Sequence, residues 1–127
     1  MNNNRHTERA KAIITWFETY QMEEGSQVIL EKRQQLSIAC AAIASQYAKA
    51  QYEFKTTYFQ RKVSEAKSKL THNGTVAERE AKAIQDNEDL RIKEAQLDGK
   101  VSGYKIVLDS YFKVLDSMAS IINTLNR

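Results

Sequence analysis

The chain has 127 residues with a formal net charge of +3, and 42% of its residues are hydrophobic and 28% charged. This length suits a single domain, 1–127, and the composition is that of an ordinary soluble protein. The N-terminus lacks the apolar run of a signal peptide, and no segment approaches the roughly 18 apolar residues that span a bilayer, so we expect a cytoplasmic protein without a membrane partner.

The first predicted helix covers residues 7–22, with Thr7 as its N-cap. Ala10, Ile13, Ile14 and Phe17 recur at helical spacing and give this helix an apolar face. Residues 23–26 then indicate a break. Elsewhere the absence of proline and the presence of only four glycines leave long stretches free to be helical.

A second, long helix is predicted from about residue 27 to 70. Its apolar residues alternate steps of four and three, which is the spacing of a heptad seam. The residues of this seam are Leu36, Cys40, Ile43, Tyr47, Ala50, Phe54 and Thr57. A helix of this length buries its apolar side only against partners, so we expect a homo-oligomer.

The turn at residues 72–74 is followed by Thr75 and Glu78, which fit a capping box and predict a short helix over 75–85. The last predicted helix covers residues 88–126. Its heptad seam contains Leu97, Val101, Tyr104, Leu108, Tyr111, Leu115, Met118, Ile122 and Leu125. We therefore predict an all-α fold in which 27–126 form a long antiparallel helical hairpin, with the seams as its core or oligomer contact.

Catalytic groups are not predicted anywhere in the chain. His6 and His72 fall in a tail and a turn, without the spacing of a metal site. Cys40, the single cysteine, lies among alanines on the apolar seam, where a buried small residue is expected rather than a nucleophile. One cysteine allows no disulfide within the chain, which is typical of a reducing compartment. We expect no enzyme activity, no metal and no cofactor.

A second stripe of the long helix carries basic and aromatic residues in alternation. It contains Tyr52, Lys55, Phe59, Lys62, Ala66 and Lys69, with Arg61 and Lys67 beside it. Cations that meet phosphates and rings that stack on unpaired bases are typical of single-stranded nucleic-acid binding. In the alternative, Tyr52 and Phe59 pack against a partner helix while the lysines form a solvated face. The residues alone favour this alternative.

The order of these segments resembles a known family. A basic helix rich in alanine and aromatic residues precedes a turn, the sequence of residues 78–83 (Glu-Arg-Glu-Ala-Lys-Ala) and an acidic turn. A long helix follows, closing in residues 114–122 (Val-Leu-Asp-Ser-Met-Ala-Ser-Ile-Ile). This pattern, over roughly residues 30–126, resembles the UvsY-like recombination mediators of phages.

The resemblance implies a ring of helical subunits in the host cytoplasm. Such a ring binds single-stranded DNA, contacts a single-strand-binding protein and helps to load a RecA-like recombinase. The resemblance places the DNA-binding cations around Lys49, Lys55, Arg61 and Lys62. It therefore favours DNA binding over packing against a partner helix, which the residues alone favour. The expected DNA-binding residues are Lys49, Tyr52, Lys55, Phe59, Arg61, Lys62, Lys67 and Lys69. A structural coiled-coil adaptor or scaffold, and a small phage inhibitor of a host protein, stay open as alternatives.

Overall fold

The computed structural model describes residues 2–21 and 24–126, with side chains from residue 5 onward. Over these ranges the chain forms helices α1 (Asn2–Glu18), α2 (Ser26–Thr71), α3 (Val76–Asp86) and α4 (Glu88–Leu125). The described residues contain no β-strand, so the predicted all-α class is confirmed. Among these helices, none combines the length and the apolar character needed to cross a membrane.

Helix α1 differs from the prediction at both ends. It already begins at Asn2, so Thr7 lies inside the helix and is not its N-cap. It ends at Glu18, where Thr19 donates from Oγ1 to the carbonyl of Trp16 at 2.8 Å. The predicted last residue of this helix and the first residue of the predicted break, residues 22 and 23, lie outside the described residues.

The turn before α2 is closed by a side chain. Tyr20 donates its hydroxyl hydrogen to the carbonyl oxygen of Gly25 at 2.9 Å. Gly25 has a φ of +88°, in the left-handed region that glycine adopts without strain. Helix α2 begins at the next residue, Ser26, in agreement with the predicted boundary.

Helices α2, α3 and α4 follow each other through short connections. Gly74, with a φ of +117°, precedes Thr75, whose hydroxyl accepts a hydrogen bond from the amide of Glu78 at 3.2 Å. Thr75 is therefore the N-cap of α3, as predicted. Asn87 joins α3 to α4, and its side-chain amide donates to the carbonyl of Ala83 at 2.8 Å.

The chain divides into two compact units. Unit 1 comprises Met1–Tyr47 and Gly103–Arg127, and unit 2 comprises Ala48–Ser102. Helices α2 and α4 each contribute residues to both units. The sequence predicted one domain, and no feature of it indicated this division.

Unit 1 contains the main apolar cluster. Its buried members are Ala10, Ile13, Ile29, Leu36, Ala39, Cys40, Ile43, Leu108, Tyr111, Leu115 and Met118. Among them, Ala39 and Cys40 are small side chains that are almost completely buried. Arg33 adds a polar contact, since its Nε donates to the carbonyl of Leu115 at 3.1 Å.

Trp16 lies against this cluster in unit 1. Its ring centroid is 5.4 Å from that of Tyr20, and the Nζ atom of Lys32 lies 5.5 Å from the Trp16 ring centroid. This is a cation–π distance. The aromatic residues of α1 therefore form part of the packing of unit 1.

Unit 2 has a more polar interior. Ala50, Ala83 and Leu97 are buried, but so are four polar side chains, namely Thr57, Arg61, Glu65 and Asn87. Within this unit α2 and α4 run antiparallel, since Arg61 pairs with Glu94 whereas Glu65, further along α2, pairs with the earlier residue Arg91.

The residues predicted for the two seams are covered by the chain's own helices. Of the residues predicted for the core or oligomer contact, six are buried: Leu36, Ile43, Leu97, Leu108, Leu115 and Met118. The others are half-buried: Tyr47, Phe54, Val101, Tyr104 and Ile122. That these seam residues also join subunits is still a prediction.

Candidate nucleic-acid interface

Seven of the eight residues predicted to bind DNA are exposed on α2 in unit 2. We call them the basic face: Lys49, Tyr52, Lys55, Phe59, Lys62, Lys67 and Lys69. The two aromatic side chains are largely exposed to solvent: Tyr52 is 72% exposed and Phe59 is 69% exposed. Exposed apolar side chains that form a contiguous patch are typical of interaction sites.

The basic face has an apolar centre line with cations on both sides. At about 100° per residue, Tyr52, Phe59, Val63 and Leu70 fall on one line along α2. Each of them is exposed. Lys49 and Lys67 lie on one side of this line, and Lys55, Lys62 and Lys69 on the other. A chain laid along the line meets apolar surface beneath it and positive charge along both edges.

Among the described residues, the lysines of the basic face have no carboxylate partner. In the part of the chain that the structure describes, the ion pairs use only Arg61, His72 and Arg91 as cations. No described carboxylate within ion-pair distance therefore offsets the five lysine ammonium groups. A local positive field attracts polyanions, although the net charge of the chain is only +3.

Arg61 is placed differently from the sequence prediction. It is only 9% exposed and points away from the basic face. Its guanidinium donates to Glu65 Oε2 at 3.1 Å and to Glu94 Oε1 at 3.2 Å, and its Nε also bonds to Glu94. We therefore remove Arg61 from the candidate DNA contacts.

Arg61 belongs to a cluster of four charges with Glu65, Arg91 and Glu94, which we call the four-charge cluster. Arg61 and Glu65 are buried, Glu94 is half-buried and Arg91 is exposed. Arg91 Nε donates to Glu65 Oε1 at 2.5 Å. Burial by itself raises the pKa of Glu65, but the Arg91 hydrogen bond and the charges of Arg91 and Arg61 outweigh it, so this pKa is lowered. The hydrogen bond to Glu94 is the main cause of the raised pKa of Arg61. The formal charges of the cluster cancel.

Tyr58 is an aromatic residue that the sequence stripe leaves out. It is 41% exposed, and the Lys62 Nζ atom lies 5.5 Å from its ring centroid. The spacing of four residues between Tyr58 and Lys62 is the sequence signal for this contact. The contact orients the Lys62 side chain across the surface of α2 at the edge of the basic face.

A shallow hollow lies beside Phe59. It has a volume of about 340 Å³ and is lined by Phe59, Gln60, Val63, Ser64 and Lys67. This combination of an aromatic ring, an amide and an ammonium group on one open surface suits a planar base with a phosphate beside it.

The described residues provide no group of three His, Cys, Asp or Glu side chains that would hold a metal ion. Burial raises the pKa of the Cys40 thiol, which disfavours the reactive thiolate. The ring of His72 bonds through Nε2 to Asp86 Oδ2 at 2.7 Å, at the end of α3. Cys40 therefore belongs to the packing of the helices, and His72 and Asp86 belong to their connections.

Comparison of the chain with protein-family models, with curated proteins and with solved structures gives no match. The resemblance to UvsY-like mediators consequently stays a prediction from the sequence, and the basic face rests on its own geometry.

Proposed function

We propose that this protein binds single-stranded DNA through the basic face of α2, and that it serves as a recombination mediator. The observation that carries the DNA-binding proposal is the pair of open rings, Tyr52 and Phe59, flanked by lysines without carboxylate partners among the described residues. Rings stack on any unpaired base, so such a surface binds single strands without reading their sequence. Bases in a duplex are already stacked, so this surface favours single strands.

The proposed mechanism is physical and involves no bond making or breaking. One subunit offers only five lysines, which bind weakly by themselves. A homo-oligomer would repeat the basic face, and the effective concentration of the linked sites would raise the avidity. A strand held along such an assembly would be released in part from its single-strand-binding protein and made available to a RecA-like recombinase. This second step is taken from the resemblance to UvsY-like proteins.

The test is fluorescence anisotropy of labelled oligothymidine titrated with the full chain between about 50 and 200 mM salt, a range over which phosphate contacts weaken strongly. Each phosphate contact contributes about −0.7 to the slope of log K against log salt for single strands. The double variant Lys55→Gln/Lys62→Gln should therefore bind more weakly, with a slope shallower by about 1.4.

The matched control is Lys100→Gln/Lys113→Gln, which removes the same charge from exposed positions of α4. It should keep the wild-type affinity and slope. Absence of binding by the folded wild-type protein at the lowest salt would refute the DNA-binding proposal. Equal loss in both double variants would refute the basic face as its location.

A structural adaptor is the second candidate, and one observation favours it. Val63 and Leu70 extend the apolar line of Tyr52 and Phe59, and Leu70 is 84% exposed. Such a line also suits the side of a partner helix. Salt separates the two candidates, because an apolar helix contact does not weaken steeply as salt rises, whereas phosphate binding does.

A further inference from the structure

A small cavity in unit 2 lies where the end of α2 meets the start of α3. It has a volume of about 160 Å³ and is lined by Lys69, Leu70, Val76, Arg79 and Glu80. Lys69 is the last residue of the basic face, and Arg79 stands on α3. The cavity is therefore continuous with the basic face through Lys69.

Arg79 carries an unusual feature in this cavity. Its Nε atom is buried and has no hydrogen-bond partner among the described residues. A buried donor that remains unpaired is rare in folded proteins and costs free energy, and the described residues supply no acceptor that holds this guanidinium in place. No carboxylate forms an ion pair with Arg79 in the described part of the chain, although Glu80 also lines the cavity.

The chemistry of the lining points to a phosphate group. Arginine and lysine converge on the cavity, and a guanidinium offers several N–H donors in a plane, which suits phosphate oxygens. Leu70 and Val76 are 84% and 62% exposed and give an apolar wall on which a sugar edge can rest.

We infer that Arg79 and Lys69 form a further phosphate-binding position, which extends the single-stranded DNA path from α2 onto α3. This inference rests on the proposed function, because the phosphate is that of the same bound strand. Arg79 binds the backbone and reads no base, so its loss should weaken binding to all oligonucleotide sequences alike.

The test repeats the anisotropy titrations with Arg79→Gln, Arg79→Lys and the single control Lys100→Gln. Arg79→Gln should give a salt slope shallower by about 0.7 and weaker binding at every salt concentration. Arg79→Lys keeps the charge and should restore the wild-type slope. Lys100→Gln should match the wild type. Circular dichroism and urea unfolding of each variant verify that the helices are intact.

The outcomes separate this inference from the proposed function. If Lys55→Gln/Lys62→Gln weakens binding while folded Arg79→Gln keeps the wild-type affinity and slope, the position at Arg79 is wrong and the basic face stands. If the wild-type chain binds no single-stranded DNA, both fail. If Arg79→Lys loses as much slope as Arg79→Gln, the effect is not that of a phosphate charge contact and the inference is also wrong.

Discussion

Arg91 in α4 places its Nε 2.5 Å from Oε1 of Glu65 in α2. The second oxygen of the same carboxylate accepts from Arg61 Nη1 at 3.1 Å. One carboxylate thus accepts from two guanidinium groups, and Glu94, paired with Arg61, supplies the second negative charge. Because buried charges need their partners, the four-charge cluster fixes the register in which α2 and α4 pair within unit 2.

Removal of Glu65 should destabilise the chain strongly. Glu65→Ala leaves Arg61 buried with half of its partners and Arg91 with none in this cluster. Breaking a buried ion pair costs about 3–5 kcal/mol, and we expect the lower end because the Arg91 side chain is 41% exposed. Urea unfolding followed by circular dichroism measures the loss. Asp109→Ala, at an exposed site of α4, is the control and should change stability by less than about 0.5 kcal/mol.

The Glu65 carboxylate should make the stability of the chain depend on pH in the acid range. The folded pKa of Glu65 is lowered: burial opposes this, but the Arg91 hydrogen bond and the charges of Arg91 and Arg61 outweigh burial. An unfolded glutamate titrates near about 4.3. The stabilisation is therefore complete above that pH and is lost as the pH falls through the lower folded pKa.

The measurement is the difference in unfolding free energy between the wild type and Glu65→Gln as a function of pH. The difference should be constant from about pH 7 to 5 and should shrink below about pH 4. Asp86, whose pKa is lowered by hydrogen bonds from Ser68 and His72, titrates in both proteins and cancels in the difference. A difference that does not change between pH 7 and 3 would contradict the assignment.

Phe59 distinguishes base stacking from helix packing. Phe59→Ala should weaken single-stranded DNA binding by about 1–3 kcal/mol, the range for one lost base–ring contact. Phe59→Leu keeps an apolar side chain but no ring, so it should lose a similar amount. Anisotropy titrations measure both. Ile38→Ala removes another exposed apolar side chain, 60% exposed in unit 1, and should bind as the wild type does. Full affinity in Phe59→Leu would favour an apolar contact instead of stacking.

The N-cap residue Thr75 should stabilise the start of α3, next to the connection with α2. Its hydroxyl accepts from the Glu78 amide at 3.2 Å, and Thr75→Ala removes this acceptor. We expect a loss of about 1 kcal/mol in unfolding free energy, which is typical of an N-cap. Thr75→Ser keeps the hydroxyl and should keep nearly all of the stability. Equal unfolding midpoints for Thr75→Ala and the wild type would show that the cap does not stabilise α3.

The boundaries of α2, α3 and α4 were predictable because local residues mark them. Gly25 and Gly74 adopt positive φ next to helix starts, and Thr75 caps α3 through its own side chain. The limits of α1 were not predictable in this way. After α1 ends, Tyr20 donates a hydrogen bond to the carbonyl of Gly25. This contact is between two residues outside the helix, so the helical period of α1 does not predict it.

The exposed face of α2 was predictable from the sequence, but the side of the helix that Arg61 occupies was not predicted, and Tyr58 and Arg79 were not singled out. Lysines and aromatics at steps of three and four do share one exposed face, as periodicity requires. Arg61 continues the steps of the first seam after Phe54 and Thr57, which was visible in the sequence. Its partner Glu94 lies 33 residues further along the chain, and no local pattern connects them. Arg79 was missed because a cavity is formed only after α2 and α3 have packed.

The placement of Trp16 has a practical consequence for spectroscopy. It is the only tryptophan of the chain and packs with Tyr20 and Lys32 in unit 1. Unit 2, which carries the basic face, the four-charge cluster and Arg79, contains none. Tryptophan emission therefore reports on the surroundings of Trp16 in unit 1, while the signal of labelled DNA follows events at unit 2. The molecule therefore carries an optical reporter in unit 1, whereas unit 2, with Tyr52 and Tyr58, contributes no tryptophan emission.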